Sequence, residues 1–458
     1  MSTNQETAIQ QELAHENNVF EEAIKKYISK LNSQIDTMPL VLRLLATNTV
    51  MRTEKLKDYF DGQGIVSSDT TESIQIPIEH YGCVKRLSAK VDTAIEATML
   101  YPCNTVVSMV SMYDAFIGDI IKAIYATCPE KLNASKKSVD IADILQFESI
   151  DDAKNYVIEK EVEDVLRDSH RKQLEWFHNK LKHPFDKFKS LSKFIEITER
   201  RNLFVHTDGI VSKQYLDVCT DCNVEGISKV KIGDKLMASP DYVQECYNVL
   251  YEVGVKLGIV VWRSLKKNIE QADYYLNNTC YDLLSQGKYE LAKTMLIFAV
   301  DDIKKPANEE VRRLFVINKA LAYYLSGDKK TCNAIIDNED WSATAVKFQL
   351  ATAVLKEDYK SAVNKMEAAK SEIRYNAYCE WPLFRDFRES NEFQSKYQEL
   401  YDHGFEYKEP EQENYKDILQ YALDIQDKVK KFVDEDICED DCNKDLMKEC
   451  EKGSEKES

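Results

Sequence analysis

The chain is short of the residues that interrupt regular structure. Thirteen glycines and nine prolines in 458 positions are less than half of their usual shares of roughly 7% and 5%. A β-sandwich, barrel or propeller needs a cluster of turn formers about every ten residues. Those classes are excluded, and long helices joined by few turns remain. With 43% apolar and 10% aromatic residues there is ample material for packed cores, which excludes wholesale disorder. The expected fold class is all-α, and the length suggests two to three domains.

Apolar spacing carries this along the chain. Val19, Phe20, Ile24, Ile28 and Leu31 recur at three and four, one stripe of a helix that reads over 5–60. DGQGIVSSDTTESIQIP at 61–77 is the first loop. TVVSMVSMYDAFIGDIIKAIYATC reads as a central buried helix closed by Pro129. DIADILQF and then a helix N-capped by Ser149 follow. DYVQECYNVLYEVGVKLGIVVWRSLKKNIE at 241–270 is a second buried helix. Beyond 271, LLSQGKYELAKTMLIFA, INKALAYYLSGDKKTCNAII and LATAVLKEDYKSAVNKMEAA repeat one pattern, with Gly287 and Gly327 at equivalent places and no glycine in the third. The spacing is that of tetratricopeptide-like helix pairs, which stack into a solenoid and offer a surface for a protein or peptide partner. WPLFRDFRESNEFQSKY at 381–397 reads as the capping helix of such an array.

Charge divides the chain. It carries 79 acidic and 61 basic side chains, and residues 401–458 hold 19 acidic against 9 basic. That acidic tail is expected to be helical near 413–433. Between Leu166 and His206 the balance reverses to ten Lys/Arg against five Asp/Glu, interleaved with Trp176, Phe177, Phe185, Phe188, Phe194 and Phe204. Basic residues with aromatic ones suit a polyanion such as RNA, by charge attraction and base stacking. Arg200, Lys187, Lys189 and Lys193 are the RNA-binding candidates.

No run reaches the ~18 apolar residues of a membrane helix, and the polar N-terminus has no apolar signal region, so a cytoplasmic protein without membrane contact is expected. Twelve cysteines at irregular spacing read as reduced thiols. Cys219 and Cys222 have CxxC spacing but no second ligand pair nearby; no metal and no cofactor is expected. Phosphate-loop, HExxH, GxSxG and kinase patterns are missing.

One histidine stands out among seven. In KFIEITERRNLFVHTDGIVSKQYL a helix continues through Arg201 and Asn202 to His206, with Gly209 suited to a left-handed stop. Asn202 and His206 share a face. Arg201 lies about 140° round the helix from His206, so its reach must come from its length or a loosened helix end. Arg, Asn and His together suit phosphodiester cleavage without a metal: Arg binds phosphate with two donors, His moves a proton near neutral pH, and Asn orients either group. Arg171 and His178 offer a similar spacing, but Lys172 follows that arginine.

The segment resembles the Arg-x4-6-His motif of the HEPN superfamily, helical proteins that include many metal-independent bacterial endoribonucleases. The likeness covers roughly 95–268. It implies catalytic positions for Arg201, Asn202 and His206, a homodimer in which two motifs face one cleft, and an RNA substrate cut to a 2′,3′-cyclic phosphate. It also implies a setting in phage defence or toxin action. Asp114, on the buried central helix, is a candidate for orienting Arg201. The expected organisation is an N-terminal helical arm at 1–94, a HEPN-like bundle at 95–268, tetratricopeptide-like repeats at 271–400 and the acidic tail at 401–458. The alternative is a non-catalytic helical adaptor that dimerises through the bundle and binds a peptide or protein on its repeats. A third reading makes the acidic tail a nucleic-acid mimic covering a basic face.

Overall fold

The computed structural model describes residues 2–65, 76–133, 147–181, 188–265 and 269–407, with side chains from residue 19 onward. Among them the chain is all-α; the single β-bridge pairs Ile210 with Lys235. No helix of the described residues is long and apolar enough to cross a membrane. Two compact units are resolved, Met1–Gly404 and Phe405–Ser458. Of the second only 405–407 are described, with the rings of Phe405 and Tyr407 stacked 6.4 Å apart. The tail helix expected near 413–433, and Cys438, Cys442 and Cys450, lie outside the described residues, as does DIADILQF apart from Phe147.

In the first unit, α1 (Ser2–Gly62) and α2 (Ile78–Thr127) form a long antiparallel pair. Pro129 follows the end of α2, where it cannot continue the helix. Next come α3 (Ile150–Arg167), α4 (His170–Leu181), α5 (Leu191–His206), α6 (Lys213–Asp221) and the central α7 (Pro240–Ser264). Ser149 caps α3 by accepting a hydrogen bond from the Asp152 amide at 3.1 Å. Ser239 does the same for α7 with Tyr242.

The expected N-terminal arm does not stand apart. Phe20, Ile24, Tyr27 and Leu31 are fully buried, since α1 packs on α2 and on α7. Phe20 stacks on Trp262 at 5.9 Å and Tyr27 on Phe116 at 4.5 Å. Tyr27 also donates its hydroxyl hydrogen to the Leu250 carbonyl at 2.8 Å. Two glycines of α7 make room for this contact. A Cβ on Gly254 would come within 2.3 Å of the Tyr27 ring, and one on Gly258 within 2.9 Å of Ile24. The helix interior disfavours glycine, and close approach is the reason for these two. A boundary at residue 94 therefore falls inside α2 and divides no core.

After α7 the architecture becomes serial. Three helical hairpins follow: α8 (Ile269–Ser285) with α9 (Tyr289–Ile297), α10 (Glu309–Leu325) with α11 (Lys329–Asp337), and α12 (Val346–Leu355) with α13 (Tyr359–Ala369). Their turns are alike. The amides of Lys288, Asp328 and Asp358 each donate to the carbonyl five residues back, all at 2.9 Å. The left-handed position before each is filled by Gly287, Gly327 and Glu357, at φ of 73°, 89° and 58°. The third unit thus keeps the turn without the glycine. The expected cap at 381–397 is interrupted: a 3-10 turn at Pro382–Phe384 precedes Asn391–Tyr401, the last helix among the described residues. Trp381-Pro382 explains the break, because proline disfavours helix in the residue before it.

Candidate functional site

The motif lies on α5. Phe194, Ile195, Ile197 and Leu203 anchor one side of this helix in the core. Its end is built with some care. The amides of Thr207 and Gly209 both donate to the Leu203 carbonyl, at 2.9 and 3.0 Å. Asp208 and Gly209 then adopt positive φ, 51° and 79°. The chain is clamped immediately afterwards: Leu236 donates to Gly209 and Val211 to Asp234, each at 2.9 Å. A Cβ at Gly209 would sit 2.3 Å from the Leu236 carbonyl oxygen. Conformation and space both require glycine here.

Arg201 turns inward. Its Nη2 donates to Asp114 Oδ2 on α2 at 2.8 Å, and the two side chains are only 19% and 26% exposed. The other carboxylate oxygen, Oδ1, meets His170 Nε2 at 2.9 Å. His170 opens α4, is 7% exposed, and lies against the rings of Tyr113 and Phe194 at 6.0 and 5.9 Å. Glu199 completes the cluster. Burial pushes its carboxyl up from the ordinary range, while a hydrogen bond from Asn202 and the charges of His170 and Arg201 oppose the shift. The Nε of Arg201 is buried without a partner.

His206 is the last residue of α5 and exposed, and its side chain makes no hydrogen bond or ion pair among the described residues. The helix stays regular to its end, so Arg201 and His206 keep their separation of about 140°. The loosened end that would have brought them together is not there. Asp114, Arg201 and Asn202 belong to one cluster with His170 and Glu199; His206 stands apart at the helix end.

Other expectations for the basic stretch meet corrections. Arg200 and Lys193 face a buried carboxylate, Glu196, at 2.6 and 3.5 Å. Glu196 also accepts from the hydroxyls of Tyr215 and Tyr242 at 2.9 Å each. The Arg200 guanidinium lies 4.1 Å from the centre of the Tyr242 ring and Lys193 pairs with Glu245 at 2.8 Å. These two cations are taken up by packing between α5 and α7. The aromatic residues follow suit: Phe177 and Phe194 are fully buried and the Trp176 indole donates to Glu161 at 3.1 Å, so none of the three is a free stacking platform. Lys189 is exposed on a cavity of about 570 Å³ that Arg171, His178, Ser192, Asp221 and Cys222 also line. Lys187 and Phe185 lie outside the described residues.

The CxxC pair is part of a small core. Cys219 packs with Leu203, Val211, Tyr215 and Val224, and burial, followed by the Glu196 charge, pushes its thiol up to about 12. It is an inert apolar residue at neutral pH. Among the described residues no three His, Cys, Asp or Glu side chains are grouped to hold a metal.

His170 is what sequence reasoning missed. It lies 56 residues from Asp114, a separation on which no local spacing bears. Glu196 could have been found, because Lys193 and Arg200 stand at the i−3 and i+4 positions where helical ion pairs form. Comparison with protein-family models, curated proteins and solved structures gives no match.

Proposed function

We propose that the chain is a metal-independent endoribonuclease of the HEPN type, with Arg201 binding the scissile phosphate, Asn202 orienting it and His206 moving the proton. One observation supports this above the rest: Arg201 is fixed through Nη2 by the Asp114 carboxylate on α2, on the same short helix that presents Asn202 and ends in an exposed histidine. A guanidinium with free donors recognises phosphate geometrically. A histidine exposed at a helix end is open to a substrate hydroxyl. No metal is needed for attack by a 2′-hydroxyl, and the products are a 2′,3′-cyclic phosphate and a 5′-hydroxyl.

In this reading the protein is cytoplasmic. Because Arg201 and His206 face different ways on one helix, a homodimer supplies the missing proximity, with the arginine of one copy serving the histidine of the other. The tetratricopeptide-like hairpins bind a protein or peptide that controls the activity, as in toxin and phage-defence systems. A mixing experiment tests the composite site. Arg201→Ala and His206→Ala, each inactive alone, regain RNA cleavage when co-refolded or co-expressed; two variants that remain inactive together would remove the shared site.

The direction of His206 also favours a second reading, in which the bundle is a non-catalytic adaptor and the repeats carry the function. It predicts that His206→Ala leaves RNA binding and oligomeric state unchanged and alters stability by no more than the few tenths of a kcal/mol that a basic residue in the last helical turn supplies.

A further inference from the structure

We propose that His170 is a positioning residue of this site, holding Asp114 so that Asp114 presents Arg201 to phosphate. The proposal rests on the ribonuclease reading given above, and concerns a residue outside the Arg-Asn-His motif.

The carboxylate of Asp114 uses one oxygen for each partner, Oδ1 for His170 Nε2 at 2.9 Å and Oδ2 for Arg201 Nη2 at 2.8 Å. An Asp with a single partner can rotate about its terminal torsion, which is broad and roughly two-fold. Two partners at fixed points on different helices remove that freedom. His170 is suited to be the fixed one. It is almost wholly buried at the start of α4, its ring lies against the contacting pair Tyr113 and Phe194, and Phe194 belongs to the same helix as Arg201.

Packing alone does not account for an imidazole there. Its neighbours are aromatic, and a buried polar ring destabilises unless its nitrogens are hydrogen-bonded. The contact that distinguishes histidine is the one to Asp114, and a carboxylate acceptor places the proton on Nε2. Arg201 is thereby tied through Nη2, its Nε is buried and unpartnered, and Nη1 is the donor left for an anion. His170 touches no reacting atom. It acts through Asp114.

Two polar substitutions separate positioning from packing. Glutamine can place its amide nitrogen near the point occupied by Nε2, whereas asparagine, one methylene shorter, reaches only to the place of Nδ1 and falls short of Asp114. In the full-length protein, RNA cleavage in excess EDTA should show kcat lower by about 10²-fold in His170→Asn, with KM nearly unchanged and most of the rate kept in His170→Gln. The 1H–15N signal of Arg201 Nε, assigned by its loss in Arg201→Lys, should move in His170→Asn and in Asp114→Asn and return in His170→Gln. Equal rates in the two His170 variants, or a signal that does not move, would overturn the proposal. A wild-type chain that cuts no RNA would remove the ribonuclease reading, and the Arg201 signal alone would then decide the role of His170.

Discussion

The bundle and the hairpin repeats are both helical, yet they are held together differently. In the bundle, polar contacts join residues far apart in sequence: Tyr27 with Leu250, Tyr247 with Asn32 and Arg201 with Asp114 are separated by 223, 215 and 87 positions. In the repeats most of the contacts between hairpins join near neighbours, although Lys288 also reaches Asn32 on α1. Asn318 donates to Asn277 across 41 positions, Arg312 to Glu339 across 27 and Lys329 to Glu357 across 28. A hairpin array depends on each unit covering the next, so its stability approximates a sum of nearest-neighbour terms. The bundle gains its core only when distant segments meet. Buried charge is tolerated there because partners converge from several helices, and that is where the candidate chemistry lies.

The sharpest way to break the contrast is to remove the hub of the buried cluster. Asp114→Ala leaves Arg201 and His170 without their shared acceptor and should destabilise the bundle by about 3 kcal/mol, read as a lower urea midpoint. The same denaturation series on Gly254→Ala should show a loss of about 2 kcal/mol, since the new methyl group meets the Tyr27 ring inside a packed core. Glycine in the repeats has a different duty. Gly287 has nothing within 4 Å of where a Cβ would stand, so Gly287→Ala should cost only about 1 kcal/mol, from positive φ alone. Equal losses at Gly254 and Gly287 would erase the distinction between space and conformation.

Acid makes the two regions respond in opposite directions. Burial raises the Glu199 carboxyl in the bundle. Its ionisation in the folded state is disfavoured, so its contribution to stability is greatest below the unfolded carboxylate range and is lost as pH rises through the folded value. Glu199→Gln should therefore be more stable than wild type at pH 7 and lose that advantage towards pH 4. In the repeats, a hydrogen bond from Arg312, together with Arg313, lowers Glu309 to about 2. Its contribution is present above the unfolded value of roughly 4.3 and disappears as pH falls towards 2. Glu309→Gln should show a small loss at pH 7 and none at pH 2. The effect is the smallest of the set, because Glu309 is 64% exposed and solvent screens the pair. Thermal melts of both variants across pH 2–7 check the signs.

The same contrast decides what could be read in the sequence. Local features were legible: scarce glycine and proline gave the all-α class, Ser149 marked a helix start, and Gly287 and Gly327 marked two of the three matching turns. Glu357 hid the third, since an L-residue rarely fills that conformation. Features that depend on distant pairing were not legible. That α1 enters the core follows from Gly254 and Gly258, whose role appears only once Tyr27 and Ile24 are brought against them. The motif residues could be selected by spacing, whereas the directions of their side chains could not. Arg201 turns to Asp114 and His206 to solvent because α5 remains a regular helix to its last residue. His170 has no sequence signal of its own; it joins the cluster only where α4 returns to α2.

Cleavage by the proposed Arg201 and His206 without a metal would leave its signature in the chemistry of the new RNA ends. RNA incubated with the full-length protein in excess EDTA, with and without a candidate partner for the repeats, should gain 2′,3′-cyclic phosphate and 5′-hydroxyl ends. Arg201→Ala and His206→Ala should each abolish them. Ends carrying a 3′-hydroxyl and 5′-phosphate, or identical cleavage by wild type and His206→Ala, would contradict it.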